Sequence, residues 1–288
     1  MQLTMQTARA RALDYAPCQY GTSRLLFRGP QRKAAGDYIT CIGNTETFGR
    51  FISEPYPELL ERSLGTPCIN LGCRDAGLDA FLANPSLIDI AAGSRVTVIQ
   101  VMGAISMSNR FYTVDPRRND YFIRAGRKLK DIYPEVDFRE FERTEHMLTA
   151  LARTCPKRLQ LVRRELQTAW VARMRALVGQ IPGPVVLLWM SDHAPYSRQD
   201  GGTICHEPLF VDRAMLNAVC ETGAQLIEVV ATQAEIDAGL PDMIYGQFEA
   251  EAACEMLGPV VHRRVARVLC DALLPILMEP AFKRTAAE

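Results

Sequence analysis

The stretch Asp37-Tyr-Ile-Thr-Cys-Ile-Gly-Asn-Thr-Glu-Thr-Phe-Gly49 decides the fold. It begins as an apolar run of strand type, Tyr38 to Ile42, and stops abruptly at Gly43, Asn44 and Thr45. Gly49 closes the turn, and Pro57 to Gly65 then reads as a helix. A strand that runs into a Gly-bounded polar turn and then a helix is the usual place for a site in an α/β protein. The turn delivers an amide (Asn44), a hydroxyl (Thr45) and a carboxylate (Glu46) to the carboxyl end of a predicted central strand.

Four more runs have the same character: Cys68 to Leu71, Val96 to Val101, Val185 to Met190 and Leu226 to Val230. Each is short, rich in Val, Ile or Leu, and followed by Gly or polar residues. Helical patterns fill the gaps over Leu87 to Ala92, Asp120 to Ile132, Phe138 to Ala152, Val211 to Cys220, Gln247 to Met256 and Val260 to Leu277. The clearest is Pro156 to Val178, where Leu159, Val162, Leu166, Trp170, Met174 and Leu177 recur at the spacing of one helical face. Continuous apolar strands alternating with helices imply a parallel sheet covered on both faces. With right-handed crossovers this predicts an α/β fold, a three-layer α/β/α sandwich with a five-stranded parallel sheet of flavodoxin-like type. The expected organisation is an N-terminal arm over 1–36, a single domain over 37–280 with a helical insert at 110–182 after the third strand, and a tail over 281–288. The arm reads as a solvated loop, or as a lid bringing Arg24 or Arg28 to an anion.

Composition narrows the class. The 288 residues are 48% hydrophobic and carry a formal net charge of 0, so no broad attraction to nucleic acid or anionic lipid is expected. The nine cysteines include no Cys-x-x-Cys pair and sit mostly in apolar surroundings. That pattern favours reduced thiols and a cytoplasmic location, and it argues against zinc or any other bound metal. No apolar stretch is long enough to span a bilayer, and the N-terminus lacks a signal-peptide core. Neither Gly-x-Gly-x-x-Gly after the first strand nor a Walker loop occurs, which argues against nicotinamide and nucleotide triphosphate enzymes.

Four strand ends carry polar chemistry: Gly43 to Thr47, Asn70 to Gly77, Gly103 to Arg110, and Ser191-Asp192-His193. Together they resemble the sequence blocks of the SGNH, or GDSL-like, hydrolase superfamily. Gly43-Asn44-Thr45 stands in the place of Gly-Asp-Ser, Gly72 matches the second-block glycine, and Asn109 lies in the third-block region. Gly258-Pro259-Val-Val-His262 is similar to the tail of the last block, although its Asp-x-x-His is missing near Ala253 to Met256. The chain also resembles an uncharacterised bacterial group with a Gly-Ser-Glu-Thr-Tyr-Gly motif, in which Thr45 takes the serine position. The resemblance implies an SGNH-like α/β/α fold, Thr45 as nucleophile or its remnant, and an oxyanion hole from the Thr45 and Gly72 N–H groups plus the Asn109 amide.

A threonine hydroxyl needs a base to take its proton. Of the four histidines, His262 or His206 is the favoured base, with Asp200 or Glu207 as the orienting carboxylate. Glu46 and Asp75 are expected to face the same crevice. Asn109 and Arg110, with Arg117 and Arg118, form a group suited to a carboxylate, phosphate or sulfate, or equally to a surface turn. The expected activity is that of an esterase or O-acyltransferase acting on acyl groups of a bacterial glycan or small ester. An acyl-CoA donor is the only cofactor this would add. The alternatives are an SGNH-like protein that binds an anionic saccharide or a partner without turnover, and a sulfo- or phospho-group transferase in polysaccharide biosynthesis. The expected partner is a small molecule or glycan, with no nucleic acid and no membrane.

Overall fold

Period-two alternation within the apolar runs sorts the core into two layers. In the computed structural model, which describes residues 13–195 and 207–279, those runs are β1 (Ile39–Gly43), β2 (Cys68–Gly72), β3 (Val96–Gln100), β6 (Val185–Ser191) and β7 (Gln225–Val230). They pair in parallel as one sheet in the order β2-β1-β3-β6-β7. This is the doubly wound order with β1 and β3 at the switch point, and it bears out the expected fold class. Ile39, Cys41, Val96, Val98, Val186 and Leu188 face one core layer, whereas Ile42, Ile99, Leu187 and Trp189 face the other.

The first layer is covered by α2 (Tyr56–Leu64) and α11 (Pro259–Met278). The second lies under α3 (Leu78–Leu82), α4 (Pro85–Gly93), α7 (Pro156–Gly179) and α8 (Arg213–Cys220). Both long helices begin at a proline in the first turn, where the missing N–H costs nothing. The apolar stripe read along Leu159 to Leu177 is fully buried in α7, Trp170 included. Four shorter helices lie in the remaining segments: α5 (Arg127–Ile132), α6 (Thr144–Thr154), α9 (Gln233–Gly239) and α10 (Ala250–Cys254). No helix among the described residues is long and apolar enough to cross a membrane.

The insert differs from its expected all-helical form. Of the residues assigned to a helix over Asp120 to Ile132, Phe122–Ala125 form strand β5, paired antiparallel with β4 (Tyr112–Val114), and only the second half is helical, as α5 after Gly126. Tyr112 and Val114 point inward on either side of Thr113, a strand alternation too short to register as a period. The turn between the strands is set by the Asp115 carboxylate, which accepts the N–H groups of Arg117 (2.8 Å) and Arg118 (2.9 Å). The helix expected from Phe138 starts only at Thr144.

The described part of the arm is seated rather than solvated. Phe27 is fully buried, and Cys18 pairs with it as an isolated antiparallel bridge. The Arg28 guanidinium is 5% exposed and donates to the carbonyls of Gly49 (2.9 Å), Ile52 (2.8 Å) and Ser53 (2.7 Å) and to Glu58 (2.9 Å). It staples the loop after β1, with four of its five N–H donors committed there. Arg24 is exposed on the arm.

Candidate functional site

The carboxyl ends of β1 and β2 close on a four-residue helix, α1 (Thr45–Phe48). Gly43 and Gly72 are cross-strand partners. A Cβ on Gly43 would collide with the Thr47 hydroxyl, and one on Gly72 would collide with the Phe48 backbone nitrogen. Glycine at both positions therefore lets α1 sit directly on the strand ends. Asn44 caps α1, its Oδ1 accepting the Glu46 N–H at 3.2 Å.

Gln100, 2% exposed at the end of β3, ties this turn to the neighbouring strand. Its Oε1 accepts the Asn44 N–H (3.2 Å), the Thr47 N–H (3.1 Å) and the Thr47 hydroxyl (2.6 Å). Its Nε2 donates to Asn44 Oδ1 at 2.8 Å. Asn70 on β2 completes the seat by donating to the Thr47 carbonyl at 2.9 Å.

Thr45 is left half-buried at the rim, at the first position of α1. Its Oγ1 accepts the Asp75 N–H at 3.0 Å and donates to Asp75 Oδ1 at 3.4 Å. Asp75 reaches this hydroxyl from both its backbone and its side chain by adopting a φ of 59°, the left-handed region that non-glycine residues seldom occupy. The other carboxylate oxygen, Oδ2, lies 3.4 Å from the Arg118 guanidinium, which also pairs with Asp120 at 3.3 Å. A hydroxyl, a carboxylate and an arginine thus form one line across the strand ends. The Thr45 N–H makes no hydrogen bond among the described residues.

The other residues singled out from sequence are placed as follows. The Gly72 N–H is committed to Asn70 Oδ1 at 2.8 Å and points into the protein rather than at Thr45. His262 is fully buried. Its Nδ1 accepts the Tyr56 N–H at 3.1 Å, so the ring proton sits on Nε2, 3.6 Å from Glu46 Oε2. The other Glu46 oxygen accepts the Leu257 N–H at 3.0 Å. Glu46 therefore ties α1 to the segment entering α11, and His262 ties α11 to the start of α2. Glu46 and Asp75, both expected on the same crevice, turn to different partners.

Among the described residues no histidine bonds the Thr45 hydroxyl; His206 and Asp200 lie outside the described residues. Asn109 is used by its own turn, accepting the N–H groups of Phe111 (2.8 Å) and Tyr112 (3.2 Å) and donating to the Met107 carbonyl (3.0 Å). Arg110 pairs with Glu165, and Arg117 is exposed on the hairpin turn. Of the expected anion-binding group, Arg118 alone touches the Thr45 line.

Two strands away from β1, about 10 Å at ordinary strand spacing, the end of β6 carries a second polar group. Ser191 Oγ lies 2.5 Å from His193 Nδ1 and donates to the Glu207 carbonyl at 2.7 Å. Asp192 Oδ1 stands 3.2 Å from the same ring nitrogen. The Glu207 residue is exposed as a whole, yet its carboxyl group turns inward to accept the N–H groups of Leu209 (3.1 Å) and Gly103. Burial of that carboxyl raises its pKa from 4.5 to about 6, and the two backbone donors only partly offset the effect.

Residues 1–277 match the family described as Domain of unknown function (DUF6473). The chain belongs to DUF6473. None of the curated proteins matches it. Among solved structures, the DUF6473 chain is similar to a carbohydrate esterase family 2 enzyme with a carbohydrate binding domain from Corynascus thermopiles (Myceliophthora fergusii). The identity is 11% and the TM-score 0.43, over 87% of this chain and 69% of that one. It is also similar to a protein described under the lipolytic G-D-S-L family from Desulfitobacterium hafniense DCB-2, at 10% identity and a TM-score of 0.40, covering 83% of this chain and 100% of the other. A third is a catalytic mutant of Axe2, an acetylxylan esterase from Geobacillus stearothermophilus, at 14% identity and a TM-score of 0.38, covering 87% and 98%.

The residue of this DUF6473 site that sequence reasoning missed is Gln100. Its signal is an amide near the end of the strand-like run from Val96 to Val101, which the fold sets beside Asn44. Asp75 reads from sequence as a carboxylate on the crevice, but its double hold on Thr45 depends on a backbone conformation that no residue pattern announces.

Proposed function

We propose that this DUF6473 protein is an esterase or O-acyltransferase that works through the Thr45 hydroxyl on an acyl ester of a bacterial glycan or small molecule. The observation that supports it is the two-point hold of Asp75 on Thr45 Oγ1 at the sheet's switch point. With the Asp75 N–H on one lone pair, the hydroxyl proton is directed at Oδ1, and Arg118 on Oδ2 fixes the carboxylate plane. Asp75 then fills the place of the base expected from a histidine. In the first step the Thr45 oxygen bonds the acyl carbon and its proton passes to Asp75. That proton next goes to the departing alcohol. In the second step the oxygen of water or of a second hydroxyl bonds the acyl carbon, its proton passes by way of Asp75 to the Thr45 oxygen, and the bond between Thr45 and the acyl carbon breaks. The Thr45 N–H is the oxyanion donor proposed here. An acyl-CoA donor belongs to the transferase form of the reaction.

A second possibility is binding without turnover, favoured by the 3.4 Å separation between the hydroxyl and its acceptor. Sulfo- or phospho-group transfer ranks behind both, because Arg110 and Arg118 are already paired with carboxylates. Hydrolysis of p-nitrophenyl acetate, and consumption of acetyl-CoA with sugar acceptors, would be measured for wild type, Thr45→Ala and Thr45→Ser. Thr45→Ala is expected to lose roughly a hundredfold or more in rate, with Thr45→Ser retaining turnover. Equal rates for wild type and Thr45→Ala would leave the binding protein.

A further inference from the structure

A cavity of about 400 Å³ opens at the end of the β4–β5 hairpin away from Asp75. Its wall includes Arg124 of β5, Arg127 and Lys130 of α5, Thr113 of β4 and the Asn109 turn, and no carboxylate lines it. Arg127 and Lys130 are three apart and share one helix face. Arg127 has one distant partner, Asp131 at 4.0 Å on the exposed surface. Arg124 and Lys130 form no salt bridge among the described residues. The Thr113 hydroxyl likewise makes no hydrogen bond among them.

Several other arginines of this insert are matched by carboxylates. Arg118 pairs with Asp75 and Asp120, Arg143 with Asp120, Arg110 with Glu165 and Arg173 with Asp79. Three further cations line one hollow, where the nearest carboxylates are looser partners: Asp131 at 4.0 Å from Arg127, and Asp137, whose charge Lys130 helps to stabilise. Like charges so placed repel one another, and a multiply charged anion relieves that repulsion. Guanidinium groups favour phosphate because two N–H donors meet two oxygens. The volume lies within the usual span for small-molecule sites, roughly 300–1,000 Å³.

We infer that this hollow is a binding site for a phosphorylated small molecule, held by its diphosphate group against Arg124, Arg127 and Lys130. The rest of the ligand extends toward solvent past Thr113. A concave site with three cations suits a compact anion and not a nucleic-acid strand or a bilayer surface. The inference stands apart from the proposed chemistry at Thr45, because its test measures binding and not turnover.

The test is isothermal titration of the full chain with inorganic pyrophosphate, with orthophosphate and sulfate as comparators at matched ionic strength. Saturable pyrophosphate binding is expected, tighter than that of sulfate. The double variant Arg124→Gln/Lys130→Gln should weaken it by roughly tenfold or more. Arg263→Gln, at an exposed position of α11 on the other face of the sheet, should leave it unchanged. Thermal scans without ligand identify any variant that is not folded, and Arg124→Lys then serves as a milder replacement. Absence of saturable pyrophosphate binding overturns the site. So does equal affinity in the double variant and wild type, or equal responses to pyrophosphate and sulfate.

Discussion

Replacing Gln100 by leucine keeps the volume and removes every polar contact that seats α1 on β3. The Oε1 of Gln100 accepts two backbone N–H groups, from Asn44 and Thr47, and the Thr47 hydroxyl. The hydroxyl has a second partner in Tyr56 at 3.0 Å, and Asn44 Oδ1 keeps the Glu46 N–H, so those two groups are not orphaned. The two backbone N–H groups are. The Thr47 N–H is fully buried, and an unsatisfied buried donor costs about 1–3 kcal/mol. The Asn44 N–H is partly exposed, so water recovers a share of its bond. Together the loss is about 2–4 kcal/mol, against a total stability of about 5–15 kcal/mol. Urea unfolding should show a lower midpoint at unchanged slope, because the surface exposed on unfolding is the same. A companion, Gln100→Glu, keeps the acceptor but sets a second oxygen against Asn44 Oδ1. Its charged form is the one that burial disfavours, so its cost should grow as pH rises. A loss below about 1 kcal/mol for Gln100→Leu would refute the view that this amide holds the turn. A pH-independent cost for Gln100→Glu would refute it too.

Further outcomes follow from the same geometry. Gly72→Ala should cost about 3 kcal/mol or more in urea unfolding, since the new methyl meets the Phe48 backbone and not a movable side chain; a near-neutral result would show that α1 sits loosely on the sheet. Asp75→Gly should leave stability within about 1 kcal/mol of wild type, because relief of the positive φ offsets the lost hydrogen bonds, whereas Asp75→Ala keeps the strain and should be less stable than Asp75→Gly. Both should abolish any Thr45-dependent turnover, and full activity in either would remove Asp75 from the site. The Glu207 carboxyl binds its proton more tightly in the folded chain, so its contribution to stability is present below pH 4.5 and is lost as pH rises through about 6. Thermal midpoints should therefore decline over that window, and Glu207→Gln should remove that part of the decline.

The five strands, their parallel pairing and the layered fold follow from apolar runs of four to seven residues punctuated by glycine and polar turns, as with β1 stopping at Gly43. Such runs are local and cannot satisfy themselves except by burial on both faces, so the chain itself dictates the sandwich. The hairpin at Tyr112 to Ala125 is not legible in the sequence because two short strands carry too few alternations, and pairing with each other is what stabilises them. The position of Thr45 at a strand end was likewise legible, because Gly43-Asn44-Thr45 is a local signal.

What each polar group does was decided only by tertiary structure. His262 and Glu46 are 216 residues apart in sequence and meet because α11 packs beside α1's turn. Asn109 and the Gly72 N–H find closer acceptors and donors than any substrate would offer. Asp75 takes Thr45 through a left-handed backbone, and Gln100 reaches across from the adjacent strand. Side-chain type states which hydrogen bonds a residue can make. Only the packed chain determines which partner lies within 3 Å or so, because directional bonds of that length are set by backbones brought together from distant parts of the sequence.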